Sequence, residues 1–303
     1  MYHYKFIIIA FFALALPSIA EVEVNPTYYG EIGLSTTSKM TMFQGTISDL
    51  GVDLSQVGTN AQVDFSKELE ADEIFMQAEI ASEILRPSDT PYKHIYPDAD
   101  KVIYSRGEMM PEQWIYLSSE ESVENFLGIC SMGMCENGMP ELTKAQGLDG
   151  SLWKNPIVLG DEWIFSFDKS KITLAPGLDV YFASNYTNTV DSEGIIITPA
   201  GSFRAIRLSR VGTEIVRYDD EQLNNSMGEG RSEIIEQFWL SSEGYTVIHL
   251  REEVTSFTNL PGSPMEQTTV TVLTSANGVE TAVEQSTWGN LKNDILLGKI
   301  GRN

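Results

Sequence analysis

The chain is short of the side chains on which most enzymes depend. It has three histidines and two cysteines among 303 residues. His3 stands in the extreme N-terminal segment, so the body offers only His94 and His249. No Gly-x-Ser-x-Gly elbow and no His-Glu-x-x-His helix is present, which removes the usual serine-hydrolase and zinc-protease frames. Gly228-Glu229-Gly230 lacks the lysine of a phosphate-binding loop and reads as a turn. Two histidines beside one cysteine pair leave too few ligands for zinc, and no cofactor signature is read anywhere. Basic residues are scarce too: 20 Lys and Arg face 43 Asp and Glu, a net charge of −23. A field of that sign repels phosphate backbones, which argues against nucleic acid as a partner. No run of about 18 apolar residues occurs, so the chain is not read as membrane-spanning.

What is present begins with an export signal. Lys5 supplies a positive start, Phe6–Leu16 is an unbroken apolar run, and Pro17-Ser18-Ile19-Ala20 leads to a small-residue cut before Glu21. The apolar run would span roughly 16 Å as a helix, about half of a bilayer core. The expected boundaries are a signal peptide at 1–20, an N-terminal β-rich part at 21–145 and a C-terminal antiparallel part at 146–303. The expected location is periplasmic or secreted, with the signal removed between Ala20 and Glu21.

The body is rich in short β-prone runs separated by turn residues. Met40–Phe43, Lys101–Tyr104 and Gln113–Leu117 read as strands. So do Trp163–Phe167, Leu178–Ala183, Gly194–Thr198, Phe203–Arg210, Glu214–Tyr218, Ile234–Leu240 and Tyr245–Arg251. Arg204 and Arg207 fall on opposite faces of one run, a spacing compatible with a bulge or an edge position. Ser66–Leu85 fits two periods: Leu69, Met76, Ile80 and Ile84 suit a helix, whereas Ile74, Met76, Ala78 and Ile80 alternate as a strand. Its Glu, Ala, Gln and Met content tips the reading to helix, and Glu120–Leu127 reads as one or two further helical turns. Ala276-Asn277-Gly278 between Thr268–Thr274 and Val279–Gln285 carries the signature of a type I′ hairpin. The expected fold is mainly β: an antiparallel sheet forming an open or half barrel or sandwich, with minor helix near the N-terminal half.

Three stretches share a pattern. Leu152–Trp163 ends in Gly160-Asp161-Glu162-Trp163; Thr198-Pro199-Ala200-Gly201-Ser202-Phe203 follows; Trp239-Leu240-Ser241-Ser242-Glu243-Gly244 closes it. Residues 150–255 thereby resemble bacterial exported proteins of the domain-of-unknown-function 3108 type. The resemblance implies an exported antiparallel β domain and brings no catalytic residues. Its motif residues, Trp163, Thr198, Pro199, Gly201, Phe203, Trp239 and Gly244, are read as structural: Pro199 shapes a turn, Gly201 takes a positive φ, and Phe203 returns to the core.

Two constellations invite chemistry. Cys130 and Cys135, with four residues between them in an exported chain, are expected to form a disulfide. The alternative is a soft-metal site in which the two thiolates and the thioethers of Met132, Met134 and Met139 bind copper(I). Carboxylate pairs for hydrolysis cannot be picked out in so acidic a chain. The function expected is non-catalytic binding of an envelope partner or an apolar small molecule, with a carboxylate-based secreted hydrolase and a Met/Cys copper binder as alternatives.

Overall fold

The structure, a computed structural model, describes residues 31–277 apart from 53, 56, 68, 70–73, 109, 121, 122, 132–134, 136–147, 150–153, 155, 176, 177, 220, 261 and 263. The signal segment, its cut at Ala20–Glu21, and Met132, Met134 and Met139 lie outside the described residues.

Thirteen strands form one sheet. In chain order they are β1 (Ser35–Phe43), β2 (Gly58–Asp64), β3 (Ile74–Leu85), β4 (Lys101–Gly107), β5 (Met110–Glu120), β6 (Val123–Ser131) and β7 (Leu148–Asp149). They continue as β8 (Glu162–Ala175), β9 (Leu178–Thr198), β10 (Gly201–Tyr218), β11 (Gly230–Ser241), β12 (Thr246–Phe257) and β13 (Met265–Ala276). The spatial order is β6-β5-β4-β3-β1-β13-β12-β11-β10-β9-β8-β7. Two antiparallel meanders, β3–β6 and β7–β13, are thus stitched together by β1, which pairs antiparallel with β3 on one edge and β13 on the other.

The sheet is mainly antiparallel and is not closed into a barrel, as the sequence pattern leads one to expect. One pairing is parallel. β8 lines β9 as far as Thr189, and β2 takes over the same edge from Ser192 to Ile197. Gly194 makes this possible, because a Cβ there would stand 1.8 Å from the Ala61 carbonyl oxygen. Among the described residues helix is limited to 3-10 turns at Ile47–Leu50 and Pro87–Asp89 and the helix α1 (Glu221–Met227).

The two faces are packed differently. On the front face, residues 44–57 and β2 cover the C-terminal meander, and Phe43, Val63, Phe65, Ile196, Trp239 and Leu250 fill the space between. On the same face of the N-terminal meander, residues 86–100 bring Tyr92 and Tyr96 onto Val102, Tyr116 and Cys130. On the back face, Ile157 covers Val190, Ile206, Leu208, Phe238 and Leu240. β10 is therefore buried on both sides over its first half. Its one register shift falls between Arg207 and Leu208, where β9 carries Asp191 as the extra residue. The bulge lies in β9, so β10 alternates without interruption and Arg204 and Arg207 stay on opposite faces; Arg207 donates from Nε to the Asp191 carboxylate at 2.7 Å.

Two expectations are corrected. Ile74–Leu85 is strand β3, not helix: pairing on both edges, with β1 and β4, outweighs the helix preference of its Glu, Ala and Met side chains. Glu120 and Val123–Leu127 lie in the paired strands β5 and β6, with Glu120 opposite Val123, and not in helical turns. The hairpin expected at Ala276-Asn277-Gly278 has its second arm, Val279–Gln285, outside the described residues; its first arm lies in β13, which pairs with β1 over 268–276 and with β12 over 265–272. Asn277 closes the start of β1. Its Nδ2 donates to the Gly33 carbonyl at 2.8 Å, and its Oδ1 accepts from Ser35 N at 2.7 Å.

Candidate functional site

The back face of the C-terminal meander carries a row of charge where a row of apolar side chains would be expected. Asn188 pairs with Arg210, Arg210 with Glu236, and Glu236 with Arg251, so four consecutive strands place them side by side. Arg210 and Glu236 are nearly buried, at 8% and 7% side-chain exposure. Arg210 donates to Asn188 Oδ1 at 2.8 Å and to Glu236 Oε2 at 3.4 Å. Its guanidinium lies 5.3 Å from the ring centres of both Tyr186 and Phe238. Arg251 reaches three carboxylates: Glu236 at 3.0 Å, and Glu214 and Glu253 at 3.2 Å each. His249 stacks on Phe238 with ring centres 4.3 Å apart and brings Nε2 to 3.4 Å from Glu236. Tyr186 donates its hydroxyl to Glu214. Gly212 gives the Tyr186 ring its place, since a Cβ there would come within 2.5 Å of it.

The electrostatics follow from this geometry. Burial alone would raise the Glu236 carboxyl, but the hydrogen bond and charge of His249, with Arg210 and Arg251, hold it down at about 2. Burial likewise works against an ionised Glu253, and hydrogen bonds from Ser232 and Thr255 with the charge of Arg251 bring it below the ordinary value. Burial pushes the Tyr186 phenol up, and the Glu214 and Glu236 charges push it further. Glu214, Glu236 and Glu253 thus lie in one arginine-clamped network, and Glu236 and Glu253 are held as anions. A hydrolase of the two-carboxylate type needs one carboxyl raised so that it can donate a proton. Glu236 and Glu253 are shifted the opposite way. Among the described residues no group of His, Cys, Asp and Glu is arranged to hold a metal.

On the front face, beyond the reach of the cover, a different row stands open. Ile164, Thr187, Val211 and Ile235 are cross-strand neighbours on β8, β9, β10 and β11. Ile164 is 63% exposed, Val211 56% and Ile235 41%. Acidic residues flank the row: Glu252 continues it on β12, Glu233 stands in the next row, and Glu162 lies on the other side.

The residues singled out from sequence are scattered rather than gathered. Cys130 and Cys135 have their Cα atoms 5.6 Å apart and their sulfurs joined, at the end of β6 and far from the charged row in strand order. Trp163 packs partly buried against the back-face core. Thr198 Oγ1 accepts from Ala200 N at 3.2 Å in the turn that contains the exposed Pro199. Gly201 and Gly244 both have positive φ, and Phe203 and Trp239 enter the front core. His94 is exposed in its loop. Arg210, Glu236 and Arg251 were not legible as a set. The available signal was charge inside strongly apolar runs, as in Ile234-Ile235-Glu236-Gln237-Phe238, but without pairing registers nothing in the sequence aligns them.

No protein-family model and no curated protein matches the chain. Two solved structures are similar in outline. One, described as "a putative lipoprotein" of Parabacteroides distasonis ATCC 8503, has 10% identity over 84% of this chain and 99% of its own, with a TM-score of 0.32. The other, from Bacteroides fragilis NCTC 9343, is described as "a putative exported protein with YmcC-like fold", with 11% identity over 85% of this chain and 99% of its own and a TM-score of 0.35. At those scores the likeness carries no argument about function. No helix among the described residues is long and apolar enough to cross a membrane.

Proposed function

We propose that the protein is a non-catalytic binding protein of the bacterial envelope and that it engages a protein partner through the open front-face row of the C-terminal meander. The envelope location rests on the export signal at 1–20 and on the motif likeness at 150–255. The binding role rests on one observation: three large β-branched side chains, Ile164, Val211 and Ile235, stand exposed in register across β8–β11. An ordered apolar patch of this kind costs solubility unless something covers it.

A protein partner is favoured over an apolar small molecule because the concave space that would hold such a ligand is filled. Phe43, Ile196, Trp239 and Leu250 have no exposed surface there. The acidic surround of Glu162, Glu233 and Glu252 selects a partner whose apolar patch is ringed by basic residues. The arginine-clamped carboxylates of the back face support a role without catalysis.

A photo-crosslinking side chain in place of Val211 tests this in the producing cell. The expected result is one discrete adduct that disappears when Ile164 and Ile235 are changed to Glu and weakens in high salt. The same adduct from a crosslinker at exposed Glu221, or none from position 211, would overturn the proposal.

A further inference from the structure

We infer that the front face carries a second, separate site: a small cleft between the two covers that binds a neutral sugar ring. The cleft has a volume of about 310 Å³, at the small end of ligand sites. Its floor is built from two neighbouring cross-strand rows. One runs Ser35–Glu83–Tyr104 over β1, β3 and β4. The other runs Ser275–Thr37–Ala81–Arg106 over β13, β1, β3 and β4. On one side the cover of the C-terminal meander ends, where Tyr245 of the front core donates its hydroxyl to the Asn277 carbonyl. On the other side the tyrosine-rich cover begins, with Leu85 and Trp114. Neither cover reaches the middle.

Ala81 gives the cleft its depth. Glu83, Tyr104 and Arg106 stand around a single methyl group on the floor. The lining chemistry then narrows the ligand. Hydroxyls of Ser35, Thr37 and Ser275 both donate and accept, Glu83 accepts, and Arg106 donates as a fork. The one acid and the one base balance, so the cleft selects neither anion nor cation. It is too polar and open for an acyl chain. Tyr104 supplies the apolar element, and its ring is held by donating to Glu112 at 2.7 Å and by lying 5.3 Å from the Trp114 ring centre. A ligand with closely spaced hydroxyls around its edge and a C–H face for an aromatic ring satisfies all of these groups together. That is a neutral pyranose, either free or at the end of a glycan.

The test is a titration of the mature protein with a panel of neutral hexoses and N-acetylhexosamines by ligand-observed NMR, alongside a glycan array. Binding to a neutral sugar is expected, and the array arm separates free sugar from a chain end. Ala81→Leu, which fills the floor, and Glu83→Gln, which replaces one acceptor oxygen and the negative charge with a donor NH2, should each weaken that binding roughly tenfold or more. Circular dichroism melting should stay unchanged for both. No binding to any neutral member, binding to charged sugars alone, or binding that both variants leave intact would overturn the inference. None of these outcomes bears on crosslinking at Val211, so the two sites stand or fall separately.

Discussion

Residues 86–100 cover the N-terminal meander with tyrosines, whereas residues 44–57 and β2 cover the C-terminal meander with aliphatic and phenyl groups. The difference follows from size. The C-terminal meander has long strands and two buried faces, so area alone can stabilise it at roughly 25 cal/mol per Å² of apolar surface. The N-terminal meander has short strands and one thin cover. It relies on directional bonds: Tyr96 stacks on Tyr116 at 4.5 Å, Lys93 Nζ donates to the Pro97 and Ala99 carbonyls, and Cys130–Cys135 closes the end of β6. A disulfide over so short a loop contributes about 2 kcal/mol in the chain-entropy account. The lesson is that one sheet can hold two covers by different means, and each means has its own way of failing.

The largest expected failure is in the area-based core. Trp239 has no exposed surface, and among the described residues its indole Nε1 has no hydrogen-bond partner, so it contributes by packing and by the ring face it offers the Arg207 guanidinium 5.5 Å away. Trp239→Ala should cost about 4 kcal/mol, read from the urea midpoint of the purified protein. A loss below about 1 kcal/mol would mean that the front core is not what holds this meander.

Next comes the charged row on the back of the same meander. Glu236→Gln leaves Arg210 buried beside an amide, and the expected loss at pH 7 is about 3 kcal/mol. The pH dependence sharpens this. The Glu236 carboxyl titrates at about 2 in the folded chain against an ordinary 4.5. The unfolded chain therefore takes up the proton first as pH falls. The contribution of Glu236 is fully present above pH 4.5 and is lost as pH drops toward 2. The gap between wild type and Glu236→Gln should accordingly close over that window in acid denaturation curves. A gap that stays constant down to pH 2 would show that the carboxylate charge is not what matters.

How much of this was legible beforehand varies with the kind of information needed. Alternation located β1, β4, β5 and β8–β13, because a half-buried strand writes its two faces into a period of two. The turn at Thr198–Phe203 was legible for the same local reason: Pro199 and Gly201 each allow few backbone conformations. β3 was misread because its helix-favouring side chains outvoted its own alternation, and only pairing with β1 and β4 settles the matter. The hairpin signal at Asn277 is a limit of another kind: it says nothing about which edges of its first arm are already paired, and its second arm lies outside the described residues. The charged row and the cleft were beyond reach in principle: Arg210, Glu236 and Arg251, or Ser35, Ala81 and Arg106, meet only through the registers in which their strands pair.

The smallest effect tests the other cover. Tyr116 is fully buried, and its hydroxyl sits 2.8 Å from Thr90 Oγ1 while accepting from Tyr92 N at 3.2 Å. Thr90 donates its own proton to the Pro87 carbonyl, so Tyr116 must be the donor to Thr90. Removing the hydroxyl with Tyr116→Phe keeps nearly all the buried area but takes one hydrogen bond from the Tyr92 amide and one from Thr90 Oγ1. The expected loss is about 2 kcal/mol, with faster hydrogen exchange confined to residues 87–100. The matching change in the other core, Trp239→Phe, removes a polar atom that no group uses, so only its lost area should register. If Tyr116→Phe proves neutral while exchange in 87–100 stays slow, the tyrosine cover is held by area after all, and the contrast between the two meanders collapses into one of degree.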